Sequence, residues 1–200
     1  KSTIKPLGFK SEAIIVPSRV SYAVIGADAG QAVDENLGSI LVSRSILSYE
    51  YLWNQIRVLG GAYGAGFLGR RQGFVGCYSY RDPSPAASIE KYKECGSFLG
   101  GMADSPEADL TKFIIGAVGE YDTLATPRLA GAKATGDYMT GWTPEDDAKV
   151  LSDMKSCDRD ALKKVAKLLD EAFKTPVISV VGSREHIEAN RHLFDNIIEI

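Results

Sequence analysis

Apolar residues recur in this chain with two periods, and the two come in runs rather than in alternation. Two short β-type stretches open it: Ala13-Ile14-Ile15-Val16, closed by Pro17, and Val20 to Gly26 with Tyr22, Val24 and Ile25. Ser18-Arg19 reads as the turn of a strand pair. A long 3.6-residue pattern follows over 34–56, where Leu37, Ile40, Leu41, Leu47, Tyr51, Leu52 and Ile56 share one face. Asp34 is its expected N-cap, with Glu35 in the first turn. Alternation returns from Phe67 to Tyr80, with Phe74, Gly76, Tyr78 and Tyr80 on one side and Val75, Cys77 and Ser79 on the other. Strands grouped with strands and helices with helices argue against repeated βαβ crossovers. They predict an α+β fold: one largely antiparallel sheet with helices packed on one face.

The rest of the chain is mainly helical. Ser84-Pro85 starts a helix whose buried side holds Ile89, Tyr92, Cys95 and Phe98 or Leu99, and Gly100-Gly101 is expected to end it. Ser105-Pro106 repeats the start signal before Leu110, Phe113, Ile114, Ala117 and Val118. Thr126 to Trp142 mixes Pro, Gly, Ala and Thr and fits a short helix between loops. Thr143-Pro144-Glu145 begins a helix to Lys155. Asp158 caps one with a clean stripe of Leu162, Val165, Ala166, Leu169, Ala172 and Phe173, and the charged opposite face is solvated. Pro176 to Val181 is a β run, a short helix carries His186 and His192, and Ile197-Ile198 is a final edge strand.

Composition removes several function classes. The 200 residues suit one domain spanning 1–200, with 44% hydrophobic and 24% charged residues as in an ordinary globular protein. The net charge of −3 and the lack of a basic block give no sign of nucleic-acid binding. No apolar run reaches the roughly 18–20 residues of a membrane span. The chain starts with Lys1 and reads as a piece of a longer polypeptide. Cys77, Cys95 and Cys157 form no Cys-x-x-Cys and read as structural thiols of a reducing, cytoplasmic compartment. His186 and His192 stand six apart, about 240° around a helix after full turns, so they do not share a face and suggest no zinc site. No Gly-x-Ser-x-Gly is present, and Asp146-Asp147 has no distinguishing context.

The stretch with the most chemistry runs from Trp53 to Phe67. A helical run ends at Arg57, and four glycines follow within seven residues: Gly60, Gly61, Gly64 and Gly66. Tyr63 stands among them. Three readings are open. In one, the glycines simply make a turn and Tyr63 packs. In another the loop binds phosphate or a nucleotide, although it lacks the Lys-Ser/Thr of a P-loop and follows a helix instead of opening one. In the last, the forked cation of Arg57 and the phenol of Tyr63 grip a carbonyl or carboxylate.

Arg57, then Gly60-Gly61-Ala62-Tyr63-Gly64, resembles the signature in the C-terminal half of pitrilysin/insulinase-type zinc metallopeptidases, within the presequence protease and falcilysin subfamily. Phe74 to Pro83, ending Ser-Tyr-Arg-Asp-Pro, resembles the strand after that loop, and Thr143 to Ile200 resembles the closing helices and strand. The resemblance implies a domain of the half that lacks zinc, with a fold of the LuxS/MPP-like metallopeptidase type. It implies that two halves close around a chamber, that zinc and the general-base Glu sit on the N-terminal half, and that this chain binds none. Peptides are the implied substrates. Arg57 and Tyr63 are the implied catalytic contacts, and Gly60, Gly61 and Ala62 are the implied substrate-binding residues of the loop. A non-catalytic partner or structural subunit of a heterodimeric complex is the alternative.

Overall fold

Six strands form one sheet: β1 (Glu12–Ile15), β2 (Ser21–Asp28), β3 (Gly64–Arg70), β4 (Phe74–Asp82), β5 (Val177–Gly182) and β6 (Asn196–Glu199). The computed structural model describes Gly8 and residues 10–200. The strand order is β3-β4-β2-β5-β1-β6. The β3–β4, β4–β2 and β2–β5 pairs are antiparallel, whereas β5–β1 and β1–β6 are parallel. The sheet is thus largely antiparallel, as the run pattern predicts. The expected β1–β2 pair is not formed. β5 lies between them, with Ala23 and Ala13 both opposite Val180. Local sequence carried the strands but not their partners, since Ser18 closes its turn on Val20 and leaves the pairing to a segment far along the chain.

Alternation sorts the two faces. Ala13, Ile15, Ala23, Ile25, Phe67, Val75, Cys77, Ile178 and Val180 are buried in the core. From the other face Tyr22, Val24, Tyr80 and Ile198 remain exposed. One face carries the core and the other stays open.

The long 34–56 pattern is three segments. Gly30, at φ 60°, precedes α1 (Gln31–Glu35), so Asp34 is not the N-cap. Its carboxylate accepts the Gln72 N–H at 2.9 Å and ties the helix to the β3–β4 turn. After Asn36 comes α2 (Leu37–Ile46), continuing without a break into a π-helix over Leu47–Leu59. The π-winding closes i→i+5 bonds and is a rarity at this length. It carries Arg57 to its last turn, as the pattern indicated.

Further along lie α3 (Pro85–Lys93), α4 (Cys95–Asp104), α5 (Thr111–Tyr121), α6 (Pro127–Thr140), α7 (Pro144–Lys155), α8 (Arg159–Ala172) and α9 (Arg184–Ala189). Thr143 and Asp146 form a capping box on α7, and Asp158 caps α8 through the Ala161 N–H at 2.8 Å. Gly100-Gly101 does not stop a helix; α4 runs through both. Glycine has a different use there. A Cβ on Gly96 would stand 2.6 Å from the Ala166 carbonyl, so glycine lets α4 lie against α8. Ser105-Pro106 does not start a helix either. The guanidinium of Arg159 donates to the carbonyls of Ser105, Pro106 and Ala108, holds that loop, and α5 waits until Thr111. α6 is longer than expected, and none of its residues is buried.

Candidate functional site

The π-helix ends beside the edge strand β3, and the loop after it meets the last residues of β4. Arg57 lays its guanidinium over the Trp53 indole, 3.8 Å from the ring centroid. Stacking of this kind holds a cation without neutralising it. The helix then unwinds with the Gly61 N–H on the Arg57 carbonyl and the Ala62 N–H on the Ile56 carbonyl, both at 3.1 Å. Gly60 is required because a Cβ would lie 2.6 Å from the Ile56 carbonyl oxygen. Gly61 is required because its φ is +80°. Ala62 buries its methyl group in the core and anchors the loop from inside.

Tyr63 faces outward and is 58% exposed. Its N–H donates to the Tyr80 carbonyl at 3.2 Å, and its ring lies 5.5 Å from the Tyr80 ring, tilted by 55°. Tyr80 in turn stacks near Tyr78 at 6.4 Å. Gly64 and Gly66 belong to β3, not to a loop. They stand opposite Tyr80 and Tyr78 in the antiparallel register. A Cβ at Gly64 would meet the Tyr80 ring at 2.4 Å, and one at Gly66 would meet the Tyr78 hydroxyl at 2.8 Å. The glycines make room for two tyrosine rings lying across the neighbouring strand.

The corner is pinned from below. Asp82 is fully buried and accepts the Ser79 hydroxyl at 2.6 Å and the Ser84 N–H at 2.8 Å. Between Tyr80 and Asp82, Arg81 adopts φ 50° and points its guanidinium toward the Tyr63 ring, 5.3 Å from the centroid. Tyr80 and Arg81 escaped the sequence reading. Their signal was glycine facing tyrosine at matching register, which is visible only once β3 and β4 are paired.

Other groups have structural uses. Asp147 accepts from Lys133 at 2.5 Å, Tyr121 at 2.6 Å and the Trp142 indole at 2.9 Å. Partial burial pushes its carboxyl up, but these bonds outweigh it and leave the group below its ordinary range. Lys133 and Arg71 also reach Asp137, so this network fastens α6 to the domain. Cys77 and Cys95 are buried with their sulfurs 3.7 Å apart, and burial pushes the Cys77 thiol well up. His186 shares a hydrogen bond with Ser21 at 3.1 Å, while His192 is exposed on the 3₁₀ turn Arg191–Leu193. Among the described residues no three His, Cys, Asp or Glu side chains cluster as a metal site. No described helix is long and apolar enough to cross a membrane. An apolar cleft of about 930 Å³ lies between the end of β2, the start of β5 and α8, and its lining includes neither Arg57 nor Tyr63.

One sheet face of this α+β domain is left open, and Tyr63 stands exposed at a glycine-shaped corner beside Tyr80. The PreP C-terminal domain model matches residues 11–184, and the chain belongs to that family. It is 32% identical over 191 residues to Protein HypA of Clostridium perfringens, covering 96% of this chain and 20% of that protein. It is 30% identical over 196 residues to the chloroplastic/mitochondrial presequence protease 1 of Arabidopsis thaliana, covering 97% of this chain and 18% of that one. The chain thus spans about a fifth of these relatives. In fold it resembles the peptidase M16 inactive domain from Pseudomonas fluorescens, with a TM-score of 0.63 at 12% identity, covering 92% of this chain and 46% of that structure.

Proposed function

We propose that this chain is the domain of a presequence-protease-like zinc metalloendopeptidase that presents Arg57 and Tyr63 to a peptide whose scissile bond is held at zinc on another part of the enzyme. In this reading the zinc sits on another half of the enzyme, and that half is the partner of this chain. There the metal would activate water and polarise the carbonyl. The contribution of this chain is electrostatic. Attack on a peptide carbonyl leaves an oxyanion, and a phenol or guanidinium aimed at it stabilises the transition state more than the ground state.

The observation that carries this reading is Tyr63 itself. Its ring is held at backbone and flank, yet it is more than half exposed, and its hydroxyl makes no hydrogen bond among the described residues. Arg57 is half-buried on Trp53 and forms no ion pair among them. Both donors rest against aromatic rings and have no side-chain acceptor among the described residues, which supports the reading. Gly60 and Gly61 serve by shaping the turn that carries Tyr63. The buried thiols fit a reducing compartment, cytoplasmic or within an organelle.

The test restores the zinc-bearing half and follows peptide cleavage. Tyr63→Phe and Arg57→Ala should each lower kcat by about 10²–10³, the usual loss for one such donor. Unchanged turnover in both would refute the assigned roles and leave the domain as a non-catalytic partner.

A further inference from the structure

β4 ends in a conformation its sequence resists. Arg81 sits at φ 50°, a left-handed region that glycine adopts freely and a long side chain does not. Burial does not explain an arginine at that point, because Arg81 is exposed. Pairing does not explain it either, since no described carboxylate lies within 4.0 Å of its guanidinium. What the group does contact is the Tyr63 ring, at 5.3 Å from the centroid. The residue before it supplies the other restraints on Tyr63, through the Tyr80 carbonyl and the Tyr80 ring. The residue after it, Asp82, holds the β-bulge at which the register of β4 against β2 shifts between Ser21 and Ala23, through Ser79 and Ser84. Three consecutive residues are thus committed to one tyrosine or to the bend that reaches it. Strained backbone of this kind persists where surrounding structure enforces it, and it concentrates at working sites.

We propose that Arg81 is a positioning residue whose guanidinium holds the Tyr63 ring so that its hydroxyl stays aimed at the reacting carbonyl of a bound peptide. This rests on the role given to Tyr63 above. A cation over an exposed tyrosine face is a modest interaction, so the effect on rate is modest too.

The experiment uses the complete enzyme, with the zinc-bearing half present, and measures kcat, KM and melting temperature. Arg81→Gln should lower kcat about fivefold with KM within about twofold, and Arg81→Lys should recover most of that loss. Arg81→Gly should melt higher than the wild type, because it relieves the positive φ, yet lose as much kcat as Arg81→Gln. In a Tyr63→Phe background, Arg81→Gln should have no further effect, since the hydroxyl being positioned is gone. Wild-type turnover in Arg81→Gly would show that only the backbone bend matters and overturn the proposal. So would a loss that falls on KM, or one that persists undiminished beside Tyr63→Phe, because Arg81 would then be touching the peptide itself. If Arg81→Gln is silent while Tyr63→Phe is impaired, this inference fails and the function proposed above stands. If Tyr63→Phe is silent, both fail.

Discussion

Alanine placed at Gly64 and at Gly69, one at a time, asks whether the two faces of β3 respond differently to the same insult. The steric overlaps are nearly equal. A Cβ at Gly64 would lie 2.4 Å from Tyr80 Cε1, and a Cβ at Gly69 would lie 2.2 Å from Ile40 Cγ2. Ordinary contact is 3.4–4 Å, so each neighbour must retreat by an ångström or more. Tyr80 is 37% exposed on the open face and has somewhere to go, whereas Ile40 is fully buried within α2. Overpacking a closed core costs about 1–3 kcal/mol, and Gly→Ala returns about 0.4–1 kcal/mol by restricting the unfolded chain. Gly64→Ala should therefore cost about 0–1 kcal/mol, and Gly69→Ala, at the upper end of the overpacking cost, about 2–2.6 kcal/mol. Urea unfolding with an unchanged m-value reads both numbers directly. Activity should rank them the other way. Gly64→Ala drives Tyr80 off its contact with Tyr63 and should impair peptide cleavage, while Gly69→Ala should stay active below its lowered melting point. Equal stability losses, or a fully active Gly64→Ala, would refute the assignment of an open face to this side of β3.

The network around Asp147 predicts an acid sensitivity of defined sign. Its carboxyl and that of Asp137 are held below the ordinary range, so the stability they contribute is present above the unfolded value near about 4 and is lost as pH falls through the folded value. Asp147→Asn should lower the melting temperature at pH 7 and flatten its decline in acid, and an unaltered acid slope would discount the network. The three thiols should resist Ellman's reagent in the folded protein and react together in guanidinium, because all are buried and burial pushes Cys77 and Cys157 up. Rapid reaction of even one equivalent under native conditions would contradict the packing.

What was legible in the residues was whatever a single period could express. The α8 stripe, the Asp158 cap and the alternation of β4 each depend on neighbours within a few positions, and each stands where the pattern put it. The glycines misled for the opposite reason. Gly64 and Gly66 look like punctuation, but their use is to admit Tyr80 and Tyr78, partners that local sequence does not name. α6 was hard to delimit because it buries nothing and so has no stripe to find. At the candidate site, Arg57 and Tyr63 were conspicuous through their spacing in a recognisable signature. Tyr80 and Arg81 were not, since their bearing on Tyr63 exists only after β4 has been laid beside β3.

The insertion of β5 between β1 and β2 sets an order of assembly. β2 is complete at Asp28, but the strand that joins it to β1 begins at Val177, and at roughly 5–20 residues per second that is many seconds of translation later. Until then the nascent chain can build only the β2–β4–β3 meander, leaving β1 adrift and one flank of β2 unpaired. A ribosome that stalls before Thr175 would therefore release a molecule with the β3–β4 hairpin formed and a sticky strand edge on the far side of β2, a substrate for chaperones rather than a working part.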